Sequence, residues 1–306
     1  ARLSAREDRL PPLEIAGAPL HGISYRMPIA SAQVKSCLLF AGLLAEGETR
    51  VIEPLPSRDH TERMLAAAGA PIETGEVEEG GLPPGGPAGR AVVVRPAERL
   101  EPPPIVVPAD ISSAAFFIVA ALLVEGSEIL LEEIGVNPTR TGVLAILERM
   151  GATIERLEET DVGGEAVGRL RIRSAPLRAT EVGGAEIPLA IDELPLVALA
   201  ACFAEGTTVI RDAEELRRKE SDRIETATAA LRALGGRVEP TADGMAIEGT
   251  GGLRGGTIDS HGDHRIAMLG AVAGLASKEG VEVRGMDAAA VSYPGFEADL
   301  ASLLAS

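Results

Sequence analysis

Apolar stretches with helical periodicity alternate along the chain with short β-rich runs. Each apolar stretch ends in a Glu-Gly pair, which predicts a helix terminated by a left-handed glycine. A run of β-branched residues follows each pair and predicts a strand. These glycines recur at intervals of about 80 residues, which indicates an internal repeat. They are Gly47, Gly126, Gly206 and Gly280.

A second helix is predicted after each of the first three of these strands, over residues 59–68, 138–150 and 220–234. Asp59 and Glu62 form a capping-box-like start of the first, and Asn137 before Pro138 favours a start of the second there. Each of these helices runs through a glycine into a pair of strands. The repeated helix–strand–helix–strand–strand pattern predicts an α/β (α+β) fold of packed βαβαββ units.

The phase of the repeat bears on domain organisation. Residues 1–7 match the strand that follows a second helix, so we expect the chain to begin inside a unit, with upstream helices missing. Residues 75–89, rich in Gly, Pro and Glu, predict a loose hairpin loop. A Pro-Pro-Pro run near residue 103 suggests a hinge. We therefore expect a truncated first lobe over 1–107 and a second lobe over 108–306.

Charge and composition narrow the function classes. The 306 residues carry a formal net charge of −17, which argues against a nucleic-acid wrapper or an anionic-membrane binder. The longest apolar runs are too short to cross a bilayer, so a cytoplasmic protein is expected. The chain has only two cysteines, Cys37 and Cys202, which are too few for a disulfide framework. Both are predicted to be buried thiols that pack in the core. No metal site is predicted, because the His261–His264 segment lacks a spaced partner.

Polar residues gather where the predicted helices begin. The first helix of each repeat begins at a polar segment, and the four segments are Ser31–Gln33, Asp110–Ser113, Asp192-Glu193 and Asp263–Arg265. Free N–H groups at helix N-termini suit phosphate and carboxylate oxygens, although ordinary capping alone explains Asp110, Ser112 and Ser113. Basic runs precede two second helices, around Arg58 and Lys219. In an acidic chain such runs fit either a solvated helix face or an anionic ligand.

Six of these segments together resemble the 5-enolpyruvylshikimate-3-phosphate synthase family, in order and spacing over essentially the whole chain. They are residues 28–36 (PIASAQVKS), 57–65 (SRDHTERML), 110–116 (DISSAAF), 192–195 (DELP), 218–223 (RKESDR) and 263–268 (DHRIAM). The resemblance implies a two-lobed enolpyruvyl transferase fold of βαβαββ units with pseudo-symmetry. It also implies that the first quarter to third of the family's sequence, which carries further phosphoenolpyruvate ligands, is absent, leaving the first lobe incomplete.

The resemblance also implies roles for individual residues. Asp192 matches the proton acceptor near the 5-hydroxyl, and Glu220 matches the proton relay to the enol methylene. Gln33, Arg223 and Arg265 match phosphoenolpyruvate contacts. The contacts to shikimate 3-phosphate fall on Ser31, Ala32, Gln33, Ser57, Arg58, Asp192 and Lys219.

The implied reaction transfers the enolpyruvyl group of phosphoenolpyruvate to shikimate 3-phosphate and releases phosphate, a step of the shikimate pathway toward chorismate and the aromatic amino acids. No cofactor is implied, and the complete enzyme is expected to be a monomer. Glu215 stands where many relatives have Asn, and no lysine precedes Tyr293-Pro294, unlike in some relatives. Two alternatives stay open: a non-catalytic fragment or half of a split synthase, and a UDP-N-acetylglucosamine enolpyruvyl transferase.

Overall fold

The computed structural model describes residues 1–8, 10–76 and 89–304, and it divides into two compact units. Unit 1 comprises Ala1–Val106 with Val162–Glu165, and unit 2 comprises Val107–Asp161 with Ala166–Ser306. Whether this division corresponds to lobes at 1–107 and 108–306 in a complete protein stays a prediction. Most of the predicted 75–89 loop lies outside the described residues. None of the described helices is long and apolar enough to cross a membrane.

Unit 1 contains an antiparallel hairpin and one repeat of the predicted pattern. The hairpin joins β1 (Arg2–Arg6) to β2 (Leu10–Ala16). The repeat contains β3 (Ser24–Arg26), α1 (Ala32–Gly42), β4 (Thr49–Glu53), α2 (His60–Ala67), β5 (Ile72–Glu76) and β6 (Arg90–Val94). Its sheet has the order β3-β4-β6-β5, with β3 parallel to β4 and the other pairs antiparallel.

Unit 2 repeats this arrangement and begins it once more. The first repeat contains α3 (Ile111–Leu123), β7 (Glu128–Gly135), α4 (Gly142–Arg149), β8 (Thr153–Val162) and β9 (Glu165–Arg173). The next contains β10 (Glu181–Val182), α5 (Ile187–Ala190), α6 (Leu194–Phe203), β11 (Thr207–Ile210), α7 (Arg223–Ala233), β12 (Arg237–Pro240) and β13 (Met245–Glu248). The last elements are β14 (Gly256–Asp259), α8 (His264–Ala276), β15 (Val281–Arg284) and α9 (Phe296–Leu304). Short 3-10 turns cover Gly184–Glu186, Glu214–Arg218 and Met286–Val291.

The sheets of unit 2 have the orders β7-β9-β8, β10-β11-β13-β12 and β14-β15. In chain order, α6 lies between the parallel strands β10 and β11, and α8 lies between the parallel strands β14 and β15. Helix α1 lies in the same way between β3 and β4. The core lies between α3, α6 and α8, which pack against one another. Nearly every residue of α3 and α6 is buried, which explains why both read as continuous apolar runs rather than amphipathic helices. The βαβαββ units expected from the sequence are therefore confirmed.

Glycines end the second helix of each repeat. Gly69, Gly151 and Gly235 have φ of +81°, +103° and +94° and directly follow the helix caps of α2, α4 and α7. Paired reverse hydrogen bonds close each end; at α2, Gly69 N–H donates to Ala66 O and Ala70 N–H donates to Leu65 O. This Schellman geometry needs a left-handed residue, so glycine is favoured. By contrast, the Glu-Gly glycines are left-handed but lie a few residues beyond the first helices.

Three local predictions are wrong. The second helix of unit 2's first repeat starts at Gly142, because Asn137 Oδ1 accepts from Thr139 N–H and holds a turn ahead of it. Asp59 forms no capping box, since its carboxylate pairs with Arg63 at 3.0 Å and makes no cap hydrogen bond. Cys37 is exposed on α1, whereas Cys202 is buried as predicted, and this burial raises the pKa of its thiol to about 12.

Candidate active site

The site in unit 2 is built from the polar segments that open α6, α7 and α8. Asp192 precedes Glu193, the N-cap of α6, and Asp222 and Asp263 are the N-caps of α7 and α8. Each cap carboxylate accepts backbone N–H groups that the first helical turn leaves without internal partners. Because α6, α7 and α8 pack together, the charged residues beside their starts meet.

Arg223 is the centre of this group. Its side chain is 1% exposed, and its guanidinium contacts three carboxylates. Nε and Nη2 donate to Asp263 at 2.9 and 3.3 Å, Nη2 donates to Glu220 at 2.5 Å, and Nη1 lies 3.4 Å from Asp192 Oδ1. Arg223 therefore holds both predicted proton-transfer residues, Asp192 and Glu220, on one guanidinium.

Asp192 is surrounded by cations. Besides Arg223, Lys219 Nζ lies 3.4 Å from its Oδ1, and Arg265 Nη2 lies 4.0 Å from its Oδ2. Its side chain is 13% exposed, so it is accessible while being held from several sides. A carboxylate that accepts a proton from a substrate hydroxyl needs both accessibility and a fixed orientation.

Lys219 and Glu220 precede α7, which begins at Arg223 rather than at residue 220 as predicted. The helix starts later because Asp222, not a residue before it, accepts the N–H of Glu225 as cap. Lys219 therefore does not share a helical face with Arg223. Its Nζ also contacts Glu215 Oε1 at 2.6 Å, so Glu215 neutralises part of the lysine's charge. Glu220 is the more exposed of the two predicted proton-transfer residues, at 53%.

A second buried cluster beside Arg265 escaped the sequence reasoning. Ser112, at the start of α3, is 3% exposed, and its hydroxyl donates to Glu193 Oε1. The same Oγ accepts from Arg140 Nη2 at 2.8 Å and from Arg265 Nη2 at 3.3 Å. Ser112 was expected to act as a helix cap, but the capping side chain is that of Asp110, which accepts from the N–H groups of Ser112 and Ser113.

The cap carboxylates of α3 and α8 are electrostatically stabilised. For Asp263, burial alone would raise the pKa, but the hydrogen bonds and charge of Arg223, with Ser221 and the Arg265 N–H, hold it below its usual value. For Asp110, burial is likewise outweighed by Arg140 and two backbone N–H groups, and its pKa is lowered. The pKa of His264 is lowered by burial and by the adjacent Arg265.

Unit 1 holds the other predicted site residues. Ser31 is the N-cap of α1, with Ala32 and Gln33 in its first turn, where backbone N–H groups are available to an anion. Ser57 and Arg58 lie in the loop that leads to α2; Ser57 is buried and Arg58 half-buried. The structure thus collects Asp192, Lys219, Glu220, Arg223 and Arg265 in unit 2, and it distributes the remaining five over two neighbouring helix starts in unit 1.

A fully buried lysine connects these two helix starts. Lys35 Nζ on α1 lies 3.0 Å from Glu53 Oε2 and 2.7 Å from Glu62 Oε1, on β4 and α2. Glu53 Oε1 in turn accepts from the hydroxyl of Ser57. This cluster fixes the loop that carries Ser57 and Arg58. The pattern of hydrophobic and polar positions does not predict this cluster, because a lysine near a helix start ordinarily faces solvent.

Over residues 1–8, 10–76 and 89–304, no group of three or more His, Cys, Asp or Glu side chains is placed to hold a metal ion. What the described cluster offers is proton transfer and anion binding. Asp192 and Glu220 supply carboxylates, and Lys219 and Arg265 supply accessible cations. Paired guanidinium N–H groups bind carboxylate and phosphate oxygens well.

Comparison with known proteins identifies the family. The family model described as EPSP synthase (3-phosphoshikimate 1-carboxyvinyltransferase) matches residues 1–300. A 3-phosphoshikimate 1-carboxyvinyltransferase of Geobacter sulfurreducens is 53% identical over 94% of this chain and 64% of its own length. One from Synechococcus sp. (strain RCC307) is 51% identical over 95% of this chain and 65% of its own. The chain thus spans just under two thirds of these relatives.

Solved structures give the same answer. EPSP synthase from Acinetobacter baumannii superposes with a TM-score of 0.82 at 43% identity, covering 96% of this chain and 66% of that one. The enolpyruvyl transferase NikO from Streptomyces tendae, at 21% identity and a TM-score of 0.69, covers 98% of this chain and 68% of its own, and shares the fold. The match over residues 1–300, together with the relatives of about 50% identity, shows that this chain belongs to the EPSP synthase family.

Proposed function

We propose that the protein transfers the enolpyruvyl group of phosphoenolpyruvate to the 5-hydroxyl of shikimate 3-phosphate, with release of phosphate. The observation that carries the proposal is Asp192, an accessible carboxylate within 4.0 Å of Lys219, Arg223 and Arg265. A hydroxyl acceptor and two anionic groups need such a combination of base and cations. The family membership makes the acceptor and donor specific.

In this mechanism Asp192 takes the proton of the 5-hydroxyl as its oxygen attacks C2 of phosphoenolpyruvate. Glu220, in its protonated form, delivers a proton to C3, which converts the C3 methylene into a methyl group and gives a tetrahedral ketal at C2. Elimination then breaks the C2–O bond to phosphate and transfers a proton from C3 back to Glu220, which restores the double bond in the enolpyruvyl ether. The proton held by Asp192 leaves with the phosphate. Because Arg223 contacts both carboxylates, it keeps the base and the acid at a fixed separation.

The cations and helix starts bind the substrates. We assign Arg265 and Arg223 to phosphoenolpyruvate. Arg265 is the more available of the two, because most N–H groups of the Arg223 guanidinium already donate to carboxylates. We assign seven residues to shikimate 3-phosphate and, among them, Gln33 also to phosphoenolpyruvate. The seven are Ser31, Ala32, Gln33, Ser57, Arg58, Asp192 and Lys219. We further propose a cytoplasmic monomer that uses no cofactor.

Two substitutions test these roles in a fusion of this chain to the third of the Geobacter sulfurreducens relative that it does not match. Asp192→Asn abolishes turnover while shikimate 3-phosphate still binds, since the amide keeps the shape and loses the base. Arg265→Ala raises KM for phosphoenolpyruvate far more than KM for shikimate 3-phosphate. Unchanged turnover in the first variant, or equal weakening of both substrates in the second, contradicts the assignment.

The choice of acceptor is tested separately in the same fusion. Phosphate release is measured with shikimate 3-phosphate and, in parallel, with UDP-N-acetylglucosamine. The proposal requires release with the first and none above background with the second, and the reverse preference overturns it.

A further inference from the structure

Ser112 occupies a position where one hydroxyl joins three charged side chains. A serine hydroxyl has one proton to donate and two lone pairs to accept. In the structure the proton goes to Glu193, and the lone pairs receive N–H groups of Arg140 and Arg265. The hydroxyl is therefore saturated by protein groups and is not itself a substrate ligand.

Glu193 explains why the hydroxyl points in this direction. Its side chain is 1% exposed, its Oε1 lies 3.6 Å from Arg265 Nη1, and it draws the serine proton toward itself. Within the described part of the chain, Glu193 Oε2 has no hydrogen-bond partner. A buried carboxylate of this kind is stabilised by the nearby guanidinium and holds it in return.

Arg265 depends on these neighbours for its orientation. Its side chain is 14% exposed, and its Nη1 donates to the backbone carbonyl of Asp192 at 3.2 Å while its Nη2 donates to Ser112. These two bonds anchor one edge of the guanidinium. Its other N–H groups make no hydrogen bond to residues 1–8, 10–76 or 89–304, and they stay available to an anion.

We propose that Ser112 is a positioning residue for Arg265. Glu193 and Arg140 fix the hydroxyl, and the hydroxyl fixes the guanidinium so that its open edge meets the anionic donor substrate. The inference rests on the proposed function for the identity of that substrate. The positioning itself concerns only the four side chains and is testable without any ligand.

The first test follows the Arg265 side chain directly by 15N relaxation of its Nε–H group, with the signal assigned by Arg265→Lys. In the chain as it stands, Ser112→Ala lowers the heteronuclear NOE of this group. Ser113→Ala is the matched control, because Ser113 Oγ bonds only the nearby Asp110 among the described residues. Tyr293 fluorescence, recorded in a Tyr25→Phe background, confirms that each variant is folded. An Arg265 signal as rigid in Ser112→Ala as in the wild type overturns the proposal.

The second test reads function in the fusion protein. Ser112→Ala raises KM for phosphoenolpyruvate by about tenfold and leaves KM for shikimate 3-phosphate within about twofold, since a displaced guanidinium binds one substrate less well. Equal increases for both substrates overturn the positioning role. Arg265→Gln separates the two hypotheses: if it leaves KM for phosphoenolpyruvate unchanged, the assignment of Arg265 to the donor fails, whereas the relaxation result still decides whether Ser112 positions it.

Discussion

The buried pair of Arg223 and Asp263 makes a quantitative prediction about stability. Asp263 is 0% exposed and accepts four hydrogen bonds, from Arg223 Nε and Nη2, from Ser221 Oγ at 2.8 Å and from Arg265 N–H at 2.9 Å. Asp263→Asn keeps the shape of the side chain and removes its charge. Among the residues that the structure describes, Arg223 then stays buried with only Asp192 and Glu220 as ionic partners.

Breaking a buried ion pair from one side costs about 3–5 kcal/mol. Because two carboxylates still contact Arg223, we expect a loss near the lower end, about 3 kcal/mol in the free energy of unfolding of unit 2. The matched control is Glu248→Gln, which removes the charge opposite Arg237, where both side chains are more than half exposed. An exposed pair of this kind contributes less than about 1 kcal/mol.

Urea denaturation monitored by Tyr293 fluorescence measures both changes. The chain has no tryptophan and two tyrosines, so Tyr25→Phe leaves Tyr293 as the reporter, packed against Phe117 and Phe296 in unit 2. We expect Asp263→Asn to shift the midpoint with an unchanged slope, and Glu248→Gln to shift it little. Equal losses in the two variants would refute the reasoning that burial makes the Arg223–Asp263 pair important.

Further predictions concern acid, thiols and unit 1. The lowered pKa values of Asp110 and Asp263 add stability that is fully present above their ordinary value of 3.8 and is lost as the pH falls through the lower folded values. As the pH is lowered below 3.8, the urea midpoint should therefore fall less steeply in Asp263→Asn than in the wild type. Parallel curves of midpoint against pH for the two proteins would contradict this. At pH 8 a disulfide reagent should label the exposed Cys37 quickly, and it should label the buried Cys202, whose pKa is about 12, only after denaturation. A fast labelling phase that survives in Cys37→Ser would contradict the burial of Cys202. Lys35→Met should speed amide exchange in α1 and α2 strongly, because it leaves the buried carboxylates of Glu53 and Glu62 without the lysine between them. Glu62→Gln should speed exchange much less, because the charges of Lys35 and Glu53 then balance, and equal effects of the two variants would contradict that charge count.

The repeat was predictable because its signals are local. Gly69, Gly151 and Gly235 stand directly after helix ends, and the β-rich runs that follow each helix are only a few residues long. Such signals depend on the conformations of neighbouring residues, which a sequence displays directly. Helix starts could not be placed from the sequence in the same way. Asn137 and Asp222 are both residue types that cap helices, and only the turn geometry decides that Asp222 begins a helix and Asn137 does not.

The connections between charged residues could not be predicted from spacing. Ser112 is 81 residues from Glu193 and 153 from Arg265, and nothing in the local sequence of any of the three indicates the others. Lys35 likewise reads as a surface residue until β4 and α2 bring Glu53 and Glu62 to it. The predicted site residues came from motif resemblance, whereas their supporting contacts exist only in the fold.

Phosphate release from phosphoenolpyruvate, with shikimate 3-phosphate as acceptor, tests the proposed function most directly. It is measured for this chain alone and for the fusion to the unmatched third of the Geobacter sulfurreducens relative, each with its Asp192→Asn variant. We predict release by the fusion that requires shikimate 3-phosphate and disappears in Asp192→Asn, and no release by the chain alone. A folded fusion that binds both substrates yet releases no phosphate, or release that survives Asp192→Asn, would contradict enolpyruvyl transfer through Asp192.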